Sequence, residues 1–435
     1  MRPQLNPALR QLWRDEHTLQ LGLDASHAAV LCGLDGASAQ LLARMDGTRT
    51  SAQLSKAACA LGADATTVAR FIDDLAQRGL VVDAAVPAEA DARAMSPAER
   101  ERLAPDIASW SVGPGRVARG LLGVRRRSRV VVEGAGRLGA LLVSLLAAAA
   151  VGRVVVSDAD QVRESDLAPG GHERTSVGGG RAASVARNAA REVPSARVSC
   201  SRSPVVVDGD PPDLVVLSPD GPAPPPGRCE QLLAAGVPHL VATTYERIAV
   251  VGPLVVPGRS PCTTCLDLHR VDRDRGWPVV AAQLHGAAAT VTGVRTTPAC
   301  DVVLASMGAA LAASAALAFL DAPGEPHELS GAMLQVRPPG LLARRRAWSW
   351  HPSCGCSWDA VAADGVGAVS AAADGEGARP SATTASTTSW TRRTGDATVQ
   401  STDATPPSAA SSRVVRSPSQ APHAPPARAP SGRMP

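Results

Sequence analysis

The 435-residue chain is poor in aromatic residues and almost devoid of lysine. Phenylalanine, tyrosine and tryptophan together make up 2% of it, and Lys56 is its one lysine, so nearly all of its basic charge is arginine. We attribute this bias to codon usage. The formal net charge of +4 is small for this length and is not the basic excess of a nucleic-acid-binding protein. We therefore expect no nucleic-acid partner.

The sequence also lacks clear targeting signals. Its first residues, MRPQLNPALRQLW, do not show the basic-then-apolar pattern of a secretory signal, so a cytoplasmic protein is expected. The uncharged run 302–320 is long enough to span a bilayer. Its alanine, serine and glycine content favours a helix buried on both sides instead. We expect no membrane partner.

Residues 1–85 predict a small winged-helix-like α+β domain. Short apolar runs alternate there with helical patterns, and the clearest helix repeats Val68, Phe71, Ile72 and Leu75. Asp73 and Asp74 on that helix argue against contact with nucleic-acid phosphates. Peptide docking and plain packing remain as two open interpretations of this domain.

The rest of the chain divides into three segments. Residues 86–127 are rich in Pro, Glu and Arg and predict a linker, with a short helix starting at Ser96 because Glu99 completes a capping-box pattern. The arginine run 125–127 is interpreted as a solvated surface run rather than as a phosphate contact. Residues 128–359 form the main domain. Residues 360–435 have no apolar periodicity and are expected to be disordered.

The most informative stretch, 129–160, reads as strand, glycine turn, helix, strand and acid. Gly134, Gly136 and Gly139 follow the apolar run of the first strand, where they permit a tight turn, close approach of a phosphate and close helix packing. Asp158 ends the second strand, where a carboxylate can accept hydrogen bonds from ribose hydroxyls. The pattern predicts a nucleotide-binding fold. A turn that serves packing alone is the alternative.

The alternation of strands and helices predicts an α/β fold. Four apolar strands (VVVEG, RVVVSD, DLVVLS and HLVATT) are separated by helical stretches, which favours a mostly parallel sheet with helices on both faces.

Two cysteine pairs predict a structural zinc site. Cys262 and Cys265 form a C-x-x-C, and Cys354 and Cys356 form a C-x-C far downstream. Four thiolates brought together in this way make a closed tetrahedral zinc site, and disulfides are disfavoured in the cytoplasm. A redox pair or chance clustering is the alternative, and His351 is a candidate substitute ligand.

On the glycine turn, the acid and the paired cysteines, residues 129–356 resemble the ThiF family of ubiquitin-activating-enzyme-like adenylyltransferases. The resemblance implies a modified Rossmann fold that binds ATP and magnesium and adenylates the C-terminal carboxylate of a small protein or peptide. In that reaction the carboxylate attacks the α-phosphorus and pyrophosphate leaves. Family members are usually symmetric dimers, so a homodimer is expected. The N-terminal segment resembles peptide-recognition domains of ribosomal peptide biosynthesis.

The family pattern is met only in part. Asp166 stands where asparagine is usual, and Pro169 stands where an arginine meets phosphate. Arg181 replaces the lysine of Gly-x-x-Lys, which keeps the charge but changes its geometry. By the resemblance, Asp220 is the candidate magnesium ligand, with a surface turn as its alternative.

Cys300 is the candidate for the cysteine that some family members join covalently to the activated partner. It precedes the apolar helix, whose amide dipole lowers the pKa of a nearby thiol. A buried structural thiol is the favoured alternative, because no histidine lies close in the sequence.

Two functional hypotheses follow. The first is a ThiF-type adenylyltransferase that activates a ubiquitin-like protein or a peptide. The second is a degenerate ThiF-like protein that binds a precursor's leader peptide for a separate cyclodehydratase. Pro169 and Asp166 favour the second, whereas Asp158, Arg181 and Asp220 favour the first. An NAD-dependent dehydrogenase is a weaker third interpretation, since it leaves the cysteines unexplained.

Overall fold

The computed structural model describes residues 1–85, 95–112, 120–204, 210–285, 299–338, 342–357 and 398–401. The rest of the predicted tail and part of the predicted linker lie outside these residues.

The N-terminal segment combines two small antiparallel sheets with three helices. Strand β1 (Pro3–Leu5) pairs with β5 (Val81–Asp83), and β2 (Gln11–Asp15), β3 (Thr18–Leu21) and β4 (Ala29–Cys32) form a second sheet. Helices α1 (Gly36–Ala43), α2 (Ser51–Cys59) and α3 (Ala65–Gln77) lie between β4 and β5 in sequence. The predicted repeat is confirmed on α3, because its four apolar residues are all buried in the core of this segment.

The predicted linker contains two helices. Helix α4 (Pro97–Trp110) begins where expected, since the Ser96 side chain accepts a hydrogen bond from the Glu99 amide at 3.2 Å. Helix α5 (Leu121–Arg127) carries the arginine run. Arg125 is buried and donates two hydrogen bonds to Asp321, at 2.8 and 2.6 Å. The interpretation of Arg125 as a solvated residue was therefore wrong, because a buried guanidinium requires a partnered position.

The main domain is built on an eight-stranded sheet, as the sequence predicts. Its strands are β6 (Arg129–Glu133), β7 (Arg153–Ser157), β8 (Arg197–Ser201), β9 (Leu214–Leu217), β10 (His239–Tyr245), β11 (Ile248–Val255), β12 (Ala332–Arg337) and β13 (Leu342–Ala347). Their order is β13-β12-β11-β10-β9-β6-β7-β8, and the five strands from β10 to β8 run parallel. The mostly parallel prediction is confirmed; the antiparallel strands β11–β13 were not predicted.

Helices cover both faces of this sheet. The remaining described helices are α6 (Arg137–Ala148), α7 (Arg181–Glu192), α8 (Arg228–Ala234), α9 (Thr263–Arg273), α10 (Trp277–His285) and α11 (Val302–Asp321). Val130 and Val132 of β6 face α6, α7 and α11, whereas Val131 faces α8. Because successive strand residues point to opposite faces, the continuous valine runs follow from burial on both sides.

Helix α11 occupies the core. Its start is capped by Asp301, whose side chain accepts a hydrogen bond from the Leu304 amide at 2.9 Å. It packs against α6, β10 and β11. Among the described helices it alone is long and apolar enough to cross a membrane, but half of its apolar window is buried inside the protein. This placement agrees with the expected helix buried within the fold.

One described piece of the predicted disordered tail is a strand. Strand β14 (Thr398–Ser401) pairs antiparallel with β4, with Thr398 opposite Cys32 and Ser401 opposite Ala29. It joins the edge of the β2–β4 sheet. An edge strand presents unpaired amides and carbonyls, so it accepts an extended segment that has no apolar pattern of its own.

Candidate functional site

The glycine turn lies at the carboxyl end of β6, where the parallel strands deliver their loops. Gly134 has a φ of +102°, and a Cβ there would lie 1.9 Å from the carbonyl oxygen of Ser218 after β9. A Cβ on Gly139 would lie 2.0 Å from the carbonyl oxygen of Gly134. Both positions therefore require glycine, so the turn and α6 pack directly on backbone, as the motif predicts.

Two buried side chains brace this turn from behind. The Asp158 carboxylate accepts hydrogen bonds from the amides of Ala135 and Asp160, both at 2.7 Å. Burial raises the pKa of Asp158, although these two hydrogen bonds oppose the rise. The His172 ring lies 2.7 Å from the carbonyl oxygen of Ala135 and 3.0 Å from the Ser184 hydroxyl. Burial lowers the pKa of His172, which keeps the ring neutral.

Arg181, the first residue of α7, is the centre of the site. It is 2% exposed and donates to both oxygens of Asp166, at 2.9 and 2.8 Å. It also donates to the Asp220 carboxylate. Asp158 and Asp160 complete the group at 3.8 and 3.5 Å. Burial alone would lower the pKa of Arg181, but Asp166 and Asp220 raise it, so the guanidinium stays charged.

With Arg163, which lies 3.6 Å from Asp160, two guanidiniums face four carboxylates, so this cluster is negatively charged. Asp158 and Asp166 are nearly enclosed, whereas the side chains of Asp160 and Asp220 are 56% and 37% exposed. The two open carboxylates are oxygen ligands of the kind that Mg²⁺ uses together with phosphate oxygens. The donor set therefore fits magnesium. Asp160 was not among the predicted ligands.

A cavity of about 110 Å³ opens beside this cluster. The predicted residues that line it are Gly136, Gly139, Asp166, Arg181, Asp220 and Cys300. Gly134 and Asp158 lie behind it and hold the turn. Ser165, the residue before Asp166, also lines the cavity. The structure thus brings most of the predicted nucleotide-site residues to one place, although they span more than 160 positions in sequence.

Two arginines of the cavity were missed by the sequence analysis. Arg137 is the first residue of α6 and donates to the carbonyl oxygens of Ser165 and Cys300, at 2.5 and 2.8 Å. Arg163 lines the same cavity with a side chain that is 44% exposed and lies 3.6 Å from Asp160. A cation at the start of a helix in the glycine turn is the signal that could have identified Arg137.

Cys300 lines the cavity but is not activated. Burial raises the pKa of its thiol, and the nearest helix start is already capped by Asp301. The expected lowering by the dipole of α11 therefore does not occur, because the capping carboxylate satisfies the helix amides and adds negative charge.

The four predicted zinc cysteines converge at the carboxyl end of β11. Their sulfur atoms lie within 4.8 Å of one another, with separations of 3.6 Å for Cys262–Cys354, 3.4 Å for Cys265–Cys356 and 3.3 Å for Cys354–Cys356. These distances are too long for disulfides and near the ~3.8 Å expected between ligands of a tetrahedral zinc. The donor set fits a structural zinc ion.

Local structure explains the convergence. Cys262 caps the start of α9, and Cys265 lies in the first turn of that helix, so both sulfurs face the same side. Burial raises the pKa of Cys354 to about 11, and a zinc ion among the four sulfurs would favour the thiolate form. His351 supports the group through its backbone amide, 3.4 Å from the Cys265 sulfur, while its ring pairs with Asp272 at 3.0 Å.

The ThiF family description matches residues 121–356, more than half of the chain. No curated protein sequence matches the chain. The fold is similar to that of E. coli MccB with ATP, at a TM-score of 0.60 and 16% identity over 82% of this chain and 100% of that chain.

Two further solved structures extend the comparison. E. coli MccB with MccA is similar at a TM-score of 0.60 and 17% identity, over 82% of this chain and 100% of that chain. PaaA is similar at 0.57 and 15% identity, over 78% of this chain and 98% of that chain. Identities this low show a shared fold and leave the chemistry to be argued from the residues.

Proposed function

The chain belongs to the ThiF family, and from that premise we propose that it is an adenylyltransferase that activates the C-terminal carboxylate of a peptide or small ubiquitin-like protein with Mg·ATP. The observation that carries the proposal is the meeting of the glycine turn with Arg181 and Asp220 at the carboxyl edge of the sheet. A crevice at this edge is where open α/β sheets bind nucleotides.

The residues of the chain have distinct tasks in this reaction. Backbone amides at the start of α6 would face the phosphates. Gly136 lets Asp220 lie against this helix start, since a Cβ there would lie 2.0 Å from the Asp220 carboxylate. Asp160 and Asp220 would hold magnesium through their open oxygens. Bound there, magnesium would neutralise charge on the phosphate oxygens during attack at the α-phosphorus.

Arg137 and Arg163 are the cations that remain for the polyphosphate. Arg181 is enclosed by carboxylates, so its charge orders the acids instead of reaching out to the ligand. Arg137 and Arg163 line the cavity. We assign them the stabilisation of the departing pyrophosphate, which makes up for the arginine that Pro169 replaces.

The N-terminal segment would supply peptide capture. The edge of β4 already pairs with the extended strand β14, which supports recognition by strand addition. E. coli MccB has been solved with MccA, and E. coli MccB shares the fold of most of this chain. A homodimer is part of the same proposal and follows from the family. The position of Cys300 beside the cavity leaves it as a candidate acceptor only if catalysis lowers its pKa.

A second candidate function rests on one observation. The enclosure of Arg181 by Asp166 and Asp220 leaves the α7 start without a free cation for phosphate. A degenerate ThiF-like protein that binds a leader peptide for a cyclodehydratase would tolerate this loss, since it needs no nucleotide. The two functions differ in whether ATP binds.

Titration calorimetry of Mg·ATP into the zinc-replete full chain tests the proposal. We expect micromolar binding that Asp220→Ala abolishes and that Asp73→Ala, which removes an exposed acid on α3, leaves unchanged. Pyrophosphate exchange with candidate peptides would then report the activation step. Folded, zinc-loaded protein that releases no heat with Mg·ATP would reject adenylation and support peptide capture.

A further inference from the structure

A second cavity, of about 350 Å³, lies at the amino ends of β6, β7 and β8. Along β6 it is separated from the glycine turn by the length of the strand, about 13 Å at 3.3 Å per residue. Six arginines line it: Arg102, Arg126, Arg127, Arg129, Arg153 and Arg197. Two acids line it with them, Glu99 and Asp210, so the lining is strongly basic.

Three of these arginines form a row across the sheet. Arg129 is in register with Arg153, and Arg153 is in register with Arg197. Residues in register on neighbouring parallel strands point to the same face and lie about 4.8 Å apart along the sheet. Like charges in this arrangement repel each other and destabilise the pairing of the strands.

The two acids neutralise only part of this charge. Glu99 pairs with Arg126 at 3.0 Å, and Asp210 lies 3.7 Å from Arg129. With respect to the described residues, the guanidinium groups of Arg153 and Arg197 make neither an ion pair nor a hydrogen bond. The row of three therefore retains excess positive charge.

Two buried donors in the lining also lack acceptors. Arg102 Nη2 and Arg129 Nε are buried without a hydrogen-bond partner in the described structure, although Arg102 Nη1 donates to the Ala148 carbonyl at 2.7 Å. An unsatisfied buried donor is destabilising, and more so when it is charged. Native structures rarely keep such groups without an acceptor that satisfies them.

We propose that this cavity binds a multiply charged oxyanion of the phosphate class. Guanidinium forks match phosphate oxygens, which would satisfy the free donors and screen the arginine row. The cavity has room for on the order of ten waters at ~30 Å³ each, which exceeds a single phosphate group. Inorganic pyrophosphate is accordingly the smallest anion expected to bind well. The site is independent of the proposed adenylation, because it lies at the opposite edge of the sheet.

The test uses the full chain with a nonhydrolysable Mg·ATP analogue present to fill the nucleotide site. Pyrophosphate is titrated by calorimetry and by thermal unfolding into the wild type, into R153Q/R197Q, and into the control R344Q/R346Q. The control removes the same charge from exposed positions on β13. We expect R153Q/R197Q to bind about tenfold more weakly than the wild type, from the loss of two charge-assisted contacts. The control should bind like the wild type.

The order of the unfolding temperatures of wild type and R153Q/R197Q should reverse when pyrophosphate is added. Without anion, R153Q/R197Q should melt above the wild type because the row no longer repels itself; with pyrophosphate the order should reverse. The single variants Arg153→Gln and Arg197→Gln, each about threefold weaker, carry the same test if the double variant does not fold. Equal binding by R153Q/R197Q and wild type, no binding to wild type, or binding of a polyglutamate peptide in place of pyrophosphate would overturn the proposal.

Discussion

In each of two regions of the main domain, four side chains that can carry negative charge converge. Around Arg181 they are the carboxylates of Asp158, Asp160, Asp166 and Asp220, and at the far end of β11 they are four thiols. The first region carries its cation within the chain. The second is expected to take its cation, zinc, from solution. One cluster therefore forms with the fold, whereas the other depends on metal.

This difference has a functional meaning. Arg181 and Arg163 together cancel only two of the four carboxylate charges, so the cluster keeps negative charge and is open to a divalent cation and solvent on the side of Asp160 and Asp220. Four thiolates around zinc leave no open position. We therefore assign ligand binding to the carboxylate cluster. To the cysteines we assign a structural role, in which they hold the start of α9 against residues 354–356.

Removal of zinc should have the largest effect of these changes, and it tests the structural role of the cysteine cluster. We expect Cys354→Ser/Cys356→Ser, or treatment with a chelator, to destabilise the main domain strongly, since structural zinc sites contribute on the order of 10 kcal/mol of binding free energy in small peptides. Metal analysis and thermal unfolding measure this. Cys59→Ser, at an exposed position, is the matched control. Unchanged unfolding after complete loss of metal would show that the thiols only pack.

Arg181→Met tests the carboxylate cluster, because it removes the guanidinium at its centre. Without the guanidinium, enclosed Asp158 and Asp166 lose their counter-charge, which costs about 3–5 kcal/mol for a buried ion pair. Denaturant unfolding measures the loss. Arg187→Met, at an exposed position of the same helix, should be nearly neutral.

A rescue variant separates charge from packing at Arg181. Adding Asp166→Asn to Arg181→Met removes one of the unpaired carboxylates and should recover part of the lost stability. If the double variant is no more stable than Arg181→Met alone, the cost comes from the lost volume of the side chain.

Pro169→Arg should have the smallest effect of these changes, and it tests whether this loop reaches the phosphates. Pro169 is exposed on the loop between Asp166 and α7 and occupies the position of the family's phosphate-contacting arginine. We expect the variant to tighten Mg·ATP binding by about 1 kcal/mol, roughly fivefold, as one exposed charge-assisted contact would. Calorimetry with Pro169→Gln as control measures it. Equal affinities for both variants would mean that the loop does not reach the phosphates.

Much of the proposed nucleotide site could be predicted from local sequence. The glycine spacing, the acid at the end of β7 and the cysteine pairs each lie within a short segment, and the family and the mostly parallel sheet they implied are confirmed. The pairing of Arg181 with Asp166 and Asp220 could not be predicted, because it depends on how the loops after β7 and β9 fold together. The antiparallel strands β11–β13 were missed for a similar reason, since their partners lie far apart in sequence.

The positions where no side chain fits and the residues able to bind zinc follow from the sequence, because glycine sterics and thiol chemistry depend on residue type and short spacing. Which charges cancel follows from the folded structure. Arg125 is buried against Asp321 and Arg181 among acids, whereas Arg153 and Arg197 remain unpaired with the described residues. Electrostatic energy depends on distance and burial, which the order of residues along the chain does not specify.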